Sequence, residues 1–242
     1  MNNAYRYIGK ATPRKDAMDI VTGGARFLND IKMLNMLHGK VLRSPHAHAL
    51  IKKIDKSKAL QLEGVEAVLT WEDVPDWKGG TPRYTRILDR KVRYVGDVVA
   101  LVAATSEEIA QEALHLIDVE YEVLPAVFEM EEALRPGAPQ LYDEFPGNVV
   151  TPGFPFFGPK SLKDVVMGDV EKGFHEADVI TEGTFGYENI PNPLPPEAPG
   201  AIALWEEPNR VTLWVSNQAS YMDKITLFHA MGRKVEVRSI GG

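Results

Sequence analysis

The sequence predicts an α+β fold, and the stretch 91–125 carries the main observations behind this prediction. Val98–Ala104 is a continuous valine-rich apolar run, short enough for a buried strand. Apolar residues then recur at helical spacing over 109–117, behind Ser106, whose side chain suits a helix N-cap. Val119–Val123 alternates apolar and acidic residues, which is the period of a half-buried strand. A strand, a helix and a second strand therefore follow one another here.

Upstream of this unit, alternation and turn residues predict three more strands and a short helix. The predicted strands are 36–45, 49–55 and 64–70, and the predicted helix is Ser57–Leu62. Residues 71–75 are typical of a helical turn, and the polar, glycine-containing stretch 76–90 is typical of a loop. Strands and helices mix without a regular alternation, which predicts a mixed sheet with helices on one face.

Downstream, residues 126–167 concentrate proline and glycine, which indicates a long surface connection or a domain boundary. Beyond it, the predicted helices are Asp169–Ala177 and Tyr221–Met231, and the predicted strands are Val179–Tyr187, Ala201–Trp205, Val211–Ser216 and Lys234–Ile240. We therefore expect four parts: a leader over 1–17, a first domain over 18–125, a linker over 126–167 and a second domain over 168–242.

The composition excludes several classes of function. A net charge of −7 disfavours nucleic acid as a partner. The chain has no cysteine, so it forms no disulfide and offers no thiolate to zinc or to an iron–sulfur cluster, which a partner would have to hold. No stretch approaches the roughly 18 apolar residues of a membrane span. The opening residues lack the apolar segment of a secretory signal. We expect a cytoplasmic protein.

Two histidines, His46 and His48, form an HxH motif directly after Pro45. On a strand, both rings would lie on one face and offer two metal ligands. The favoured alternative is a loop with surface or hydrogen-bonded histidines, because no third ligand is apparent. The acids within 118–122 indicate a solvated strand edge. The glutamate pairs at 107–108 and 131–132 indicate helix starts rather than acid–base pairs.

Three features of the second half could contact a bound group. Glu197 lies between prolines that fix the backbone, and it could be structural or reach a ligand. Gln218 follows an apolar strand, where its amide could donate to an oxyanion or oxo group, or simply form a turn. Gly241 and Gly242 follow the last predicted strand, where backbone N–H groups can hold an anion. A strand that leads into Gly-Gly suggests one piece of a larger body.

The chain resembles the molybdenum-binding large subunit of the xanthine dehydrogenase / aldehyde oxidase family. The resemblance to the family's N-terminal α/β hammerhead domain is carried by five stretches in the right order: IGKATPRKDAMDIVTGGARFLNDI, MLHGKVLRSPHAHALIKKID, GVEAVLTWEDVP, KVRYVGDVVALVAATSEEIAQEAL and VEYEVLPAVFEMEEAL. LPPEAPGAIALW, WVSNQ and VEVRSIGG are similar to segments at the start of its molybdopterin-binding domain.

This resemblance implies hydroxylation of a carbon next to nitrogen in a small heterocycle, or oxidation of an aldehyde, with oxygen from water. A few members instead reduce an aromatic thioester. The implied cofactor is molybdenum–molybdopterin, with the cytosine dinucleotide form as one alternative. Iron–sulfur clusters and FAD would lie on partner subunits of a hetero-oligomer. Neither nucleic acid nor a membrane is implied as a partner. The competing hypotheses are a non-catalytic scaffold that keeps the fold and an unrelated metal protein that uses the two histidines.

The resemblance also assigns roles to single residues. Gln218 matches the glutamine that hydrogen-bonds an oxo ligand of molybdenum, and Gly241–Gly242 match the first glycines of the loop beside the metal. Glu197 matches a glutamate whose role we expect to be architectural. The sequence departs from the family at 187–189 and at Pro196, which leaves the substrate open. The family's general base has no counterpart here, so we predict no catalytic residue in this chain. We also predict no activity without the remaining molybdopterin-binding segment.

Overall fold

The computed structural model describes residues 7–74, 86–143, 145–149, 167–186, 194, 197–207, 210–217, 219–231 and 234–239. In chain order, the strands of these residues are β1 (His38–Arg43), β2 (Ala49–Asp55), β3 (Val65–Leu69), β4 (Lys91–Val92), β5 (Val98–Ala104), β6 (Asp118–Val123), β7 (Ala201–Glu207), β8 (Arg210–Val215) and β9 (Lys234–Ser239). They form three sheets, with the orders β1–β5–β3, β4–β2–β6 and β7–β8–β9.

The helices of the described residues are short except for the last. They are α1 (Ala17–Val21), α2 (Ser57–Gln61), α3 (Glu107–His115), α4 (Met130–Ala133), α5 (Val170–Glu176) and α6 (Ser220–Met231), with 3₁₀ turns at Leu28–Asp30 and Pro146–Asn148. The N-cap predicted at Ser106 is confirmed, because its hydroxyl accepts a hydrogen bond of 3.2 Å from the backbone N–H of Ile109. Both glutamates at 107–108 lie in the first turn of α3, where the helix dipole favours negative charge.

Strand β5 is the centre of the first core, and it is covered on both faces. Ala100, Val102 and Ala104 pack in a cluster with Ala110 and Ala113 of α3, whose small side chains are fully buried. Val99 belongs instead to a second cluster, with Ala49 and Ile51 of β2 and Val92 of β4. Burial on both faces is the physical reason why the sequence of β5 is continuously apolar rather than alternating.

The expectation of one mixed sheet with helices on one face is wrong for this half of the molecule. Here β1, β5 and β3 pair antiparallel, and so do β4, β2 and β6. The strand–helix–strand unit is therefore divided between two sheets, because β6 pairs with β2 rather than with β5. Sequence periodicity defines which residues face a core, but it does not select the pairing partner of a strand.

A compact set of hydrogen bonds around Asn148 holds the described residues between Ala133 and Asn148 together. Its amide N–H groups donate to the carbonyls of Ala133 (3.0 Å) and Pro139 (2.9 Å), and its Oδ1 accepts from the N–H of Leu141 at 2.9 Å. From the first region, Lys91 Nζ donates to the Gln140 carbonyl at 2.7 Å. This part of the proline- and glycine-rich connection is thereby fixed to the edge strand β4.

The strand predicted over Val179–Tyr187 is wrong for its described part, since residues 179–186 form no strand. Every side chain from Met167 to Gly186 is exposed, and the interval contains glycines at 183 and 186. An alternating pattern makes a strand only where a neighbouring strand accepts its backbone hydrogen bonds. Tyr187 lies outside the described residues.

Candidate cofactor-binding edge

The third sheet contains the one parallel strand pair among the described residues, β8 with β9. Helix α6 connects the two strands, as a crossover between parallel neighbours requires. Their register pairs Arg210 with Lys234 and Val215 with Ser239, so both strands end at the same edge of the sheet. In open, mostly parallel α/β sheets, ligands bind in the crevice outside the carboxyl ends of the strands, and this edge is a candidate site by analogy with them.

The three residues predicted to contact the cofactor, Gln218, Gly241 and Gly242, lie outside the described residues. Among their described neighbours in the chain, Asn217 follows the end of β8 by two positions, and Ser239 is the last residue of β9. Both strands end at the edge just defined. The assignment of these three residues therefore stays a prediction.

Asn217 fixes the start of α6 against the end of β8. Its Oδ1 accepts from the backbone N–H of Ala219 at 3.0 Å, and its Nδ2 donates to a carboxylate oxygen of Asp223 at 2.5 Å. The sequence prediction singled out Gln218 and missed this neighbour. An asparagine shortly before a helix is the available signal, because its side chain commonly caps the first free N–H groups.

Ser216 ties the same edge to the segment that carries Glu197. Its backbone N–H donates to the Gly200 carbonyl at 3.2 Å, and its hydroxyl donates to the Ala198 carbonyl at 3.1 Å. Glu197 is half-buried, and its Oε1 accepts from the backbone N–H of Leu28 at 2.8 Å. This hydrogen bond favours the structural interpretation of Glu197 over direct contact with a ligand.

The described groups at this edge fit a polar, anionic cofactor in their chemistry. Ser216 and Ser220 offer neutral hydroxyls where α6 begins, whereas Asn217 is already paired with the Ala219 N–H and with the carboxylate of Asp223 in the first turn. Such donors and the positive end of a twelve-residue helix favour phosphate and oxo groups. If the group bound here, these residues would hold it by hydrogen bonds rather than by direct ligation of a metal.

The structure places both histidines of the HxH motif in contacts with other protein groups. His48 is buried and its Nδ1 lies 2.6 Å from the Pro125 carbonyl oxygen. His46 places its ring edge against Tyr121, with the centroids 4.8 Å apart. The described residues contain no group of three or more histidine or acidic side chains that could hold a metal ion. The hydrogen-bonded alternative for these histidines is therefore the better description.

Strand β6 is the edge of its sheet and carries its acids toward solvent, as its alternation predicts. Asp118 pairs with Lys58 at 3.2 Å and Glu122 with Lys52 at 2.8 Å. The hydrogen bond from Lys52 holds the pKa of Glu122 below its ordinary value. Exposed pairs of this kind contribute little to stability because solvent screens them.

Two antiparallel sheets with a helical layer are followed by a sheet that contains a parallel strand pair, and comparison with known proteins identifies this arrangement as that of molybdenum hydroxylase large subunits. Two family models match the chain. Residues 22–125 match the aldehyde oxidase and xanthine dehydrogenase a/b hammerhead domain, and residues 154–242 match the molybdopterin cofactor-binding domain. The chain belongs to the xanthine dehydrogenase / aldehyde oxidase family.

Relatives from bacteria support the same assignment. Over 223 residues, covering 88% of this chain and 27% of the relative, the chain is 36% identical to a probable xanthine dehydrogenase subunit of Bacillus subtilis. It is 32% identical to the nicotinate dehydrogenase large molybdopterin subunit of Eubacterium barkeri, covering 93% of this chain and 50% of that relative.

Among solved structures, quinoline 2-oxidoreductase from Pseudomonas putida 86 superposes with a TM-score of 0.77 at 28% identity, covering 97% of this chain and 30% of that chain. The chain thus spans between about a quarter and a half of the length of these relatives. No helix in the described part of the chain has the length and apolar character needed to cross a membrane.

Proposed function

We propose that this chain supplies the hammerhead domain and the first cofactor-binding elements of a molybdenum hydroxylase large subunit. The reaction class is hydroxylation of a carbon next to nitrogen in a small heterocycle, or oxidation of an aldehyde. The names of the relatives include xanthine, nicotinate and quinoline, which are nitrogen heterocycles, but also an aldehyde oxidoreductase and carbon monoxide dehydrogenases, so both reactions belong to the proposal. We also propose the domain division 1–17, 18–125, 126–167 and 168–242.

The observation that carries this proposal is the parallel pairing of β8 with β9. Val215 and Ser239 lie side by side at the end of these strands. Gln218 follows the first of them by three positions, and Gly241 and Gly242 follow the second by two and three. Because all three residues follow paired strand ends closely in sequence, we propose that the amide of Gln218 and the N–H groups of Gly241 and Gly242 contact the same bound group.

The reaction converts R–H and water into R–OH, with release of two protons and two electrons. The molybdenum–pterin group supplies the two-electron oxidation, because protein side chains have no equivalent chemistry. Within this chain, Gln218 would donate a hydrogen bond at the oxo-bearing side of the group, and Asn217 would hold the start of α6 beside it. We assign no proton transfer to a residue of this chain.

Several partners belong to the same proposal. Electrons would leave through iron–sulfur clusters and FAD on partner subunits, since the chain has no cysteine to ligate a cluster. The cytosine dinucleotide form of the pterin is one option for the cofactor, and a hetero-oligomer in the cytoplasm is the expected assembly. Further molybdopterin-binding polypeptide would complete the cofactor site.

A non-catalytic scaffold is the alternative, and it predicts a polar surface over residues 180–240. The described part of that interval exposes several large apolar side chains instead. They are Ile180, Phe185, Leu194, Leu204, Trp205, Tyr221 and Phe228. Exposed apolar surface of this kind favours a chain that packs against further polypeptide in a larger enzyme.

Metal analysis of the purified chain tests the proposal. The chain would be isolated by affinity from its native cells, and molybdenum, iron and flavin would be measured in the complex it brings down. We expect about one molybdenum per chain in that complex and much less in the chain produced alone. A complex without molybdenum, or stoichiometric molybdenum in the chain alone, would contradict the proposal.

Activity of the complex gives a second test, with Gln218→Ala compared to Gln111→Ala, an exposed position on α3. Xanthine, nicotinate, quinoline and an aldehyde would be offered in H₂¹⁸O with a dye as electron acceptor. We expect ¹⁸O in the product, and a loss of roughly 10²-fold or more in turnover for Gln218→Ala, as for removal of one oxyanion donor. Equal turnover of the two variants would remove the assigned role of Gln218.

A further inference from the structure

The segment ahead of β1 has a single buried anchor, Leu28. All of residues 7–43 are described, and Leu28 is the only one of them that is buried. The partner of its side chain lies far along the chain, because a Cβ atom placed on Gly200 would be 2.5 Å from Leu28 Cδ2. The opening part of the hammerhead region is thus packed against the second region through a glycine that leaves room for it.

Two carboxylates hold the 3₁₀ turn that begins at Leu28. Asp30 accepts a hydrogen bond of 2.8 Å from the Phe27 N–H, which is a local contact. Glu197 accepts one of 2.8 Å from the Leu28 N–H, across 169 residues of sequence. The first N–H groups of a helical turn lack a partner within the turn, so the carboxylate of Glu197 satisfies a donor that would otherwise be unpaired.

The other side of Glu197 is connected to the proposed cofactor edge. Ala198 and Gly200 accept the two hydrogen bonds from Ser216, at the end of β8. Ser216 is followed by Asn217, whose side chain holds α6, and then by Gln218. A continuous series of contacts therefore runs from the hammerhead turn through residues 197–200 to the edge of the third sheet.

We propose that Glu197 is a positioning residue that couples the hammerhead region to the β8–β9 edge. Its Oε1 fixes the Leu28 turn, the Leu28 side chain packs on Gly200, and Gly200 in turn bonds to the end of β8. This inference rests on the proposed function in one respect, which is the identity of the group bound at the edge. The coupling of the two regions is a property of the polypeptide alone.

The test compares Glu197→Ala with Glu197→Gln in the full chain. Glutamine keeps a carbonyl oxygen that can accept from the Leu28 N–H, whereas alanine has no acceptor. Glu112→Ala, at an exposed position on α3, is the matched control for loss of a glutamate. Amide hydrogen exchange of Leu28 is read by NMR in chain labelled with ¹⁵N-leucine, and the free energy of unfolding is measured in parallel.

A second readout measures the relation between the two regions directly. The sequence has no cysteine, so Leu60→Cys on α2 and Lys224→Cys on α6 provide two unique positions for spin labels. Double electron–electron resonance then gives the distribution of the distance between α2 and α6. A general loss of stability would not by itself broaden this distribution in the folded chain.

We expect Glu197→Ala to speed exchange at Leu28 at least about tenfold, which corresponds to about 1.4 kcal/mol, and to broaden the α2–α6 distribution. Glu197→Gln and Glu112→Ala should leave both readouts as in the parent chain. An unchanged distribution in Glu197→Ala would overturn the coupling. Equal disruption by Glu197→Gln would overturn its hydrogen-bond basis.

A second variant covers the case in which Glu197→Ala does not fold. Gly200→Ala keeps the carboxylate but places a Cβ against Leu28, so it should also broaden the distribution. A distribution as narrow as in the parent chain would overturn the coupling. None of these readouts needs a cofactor, so absence of molybdenum from the native complex would refute the proposed function and leave the coupling intact.

Discussion

His48 Nδ1 lies 2.6 Å from the carbonyl oxygen of Pro125, at the point where the chain leaves the first two sheets. A carbonyl oxygen only accepts, so the ring carries its proton on Nδ1. A second hydrogen bond joins the same two segments, because the backbone N–H of Leu124 donates to the His48 carbonyl at 2.9 Å. His48 of the HxH motif thus closes the hammerhead region through hydrogen bonds to the chain that leaves it.

We predict that His48→Ala lowers the free energy of unfolding by about 2–4 kcal/mol, because it empties a buried volume and leaves the Pro125 carbonyl without its donor. His46→Ala is the matched control. It removes only an edge contact with Tyr121 from a half-buried position, and should cost about 0.5–1.5 kcal/mol. Urea denaturation measures both, and similar losses in the two variants would contradict this division of roles.

Two glycines with positive φ allow the stability cost of backbone strain to be measured separately from the cost of overpacking. Gly64 has a φ of +88°, and an added Cβ would be 2.6 Å from Thr105 Oγ1 and 2.8 Å from Ile109 Cδ1. Gly96 has a φ of +93°, with nothing within 4 Å of an added Cβ. We predict that Gly96→Ala lowers the free energy of unfolding by about 1–2 kcal/mol, from left-handed backbone strain alone.

Gly64→Ala should lower the free energy of unfolding by about 1–3 kcal/mol more than Gly96→Ala does, because the new methyl group overpacks the start of α3. The same urea measurement on the two variants gives the packing contribution as their difference. If Gly96→Ala were the more damaging substitution, the close approach at Gly64 could not be what requires a glycine there.

Asp73 gives the chain a defined response to acid. Partial burial raises the pKa of Asp73, but hydrogen bonds from Lys56 and Thr70 together outweigh it and leave the pKa below its ordinary value of 3.8. Both the backbone N–H of Thr70 and its hydroxyl donate to the carboxylate, at 2.7 and 2.8 Å. The folded state therefore stabilises the ionised form of Asp73 more than the unfolded state does.

The sign of the pH effect follows from this lowered pKa. The contribution of Asp73 is present above the unfolded pKa and is lost as the pH falls through the lower, folded value. We predict that Asp73→Asn costs about 1–2 kcal/mol at neutral pH and flattens the decline in stability below about pH 4. Unfolding free energies measured across this range check it, with Lys56→Met as a second variant that should also flatten the decline. If the free energy of unfolding declined below about pH 4 as steeply as in the parent chain, other carboxylates would be responsible for the decline.

Local patterns predicted most elements because each depends on neighbours in sequence. The N-cap at Ser106 and the following turn of α3 are decided within four residues. The limits of β2 agree with the alternation of 49–55, and β5 agrees with its apolar run. The interval 179–186 shows the limit of such reasoning, because a segment typical of a strand does not supply a second strand to pair with.

The residues of the candidate site could be predicted from the sequence only through its resemblance to a family. A glutamine after a strand and a Gly-Gly pair have ordinary turn interpretations, and nothing in their spacing of more than twenty positions brings them together. The parallel register of β8 and β9 supplies the reason that their chain neighbours share one edge. The contribution of Asn217 was missed because its two partners, Ala219 and Asp223, become neighbours only when α6 forms.

The amino-acid sequence alone indicated the family through the resemblance of its motifs. It also predicted most of the elements and the faces that they bury, since these depend on residue type and on short-range periodicity. Tertiary structure decided which strands pair, how Pro125 and His48 close the first region, and how Glu197 reaches Leu28 across 169 residues. The physical reason is that a hydrogen bond has a direction and a length of about 3 Å. Whether two distant groups meet at that distance is set by the packing of the whole chain.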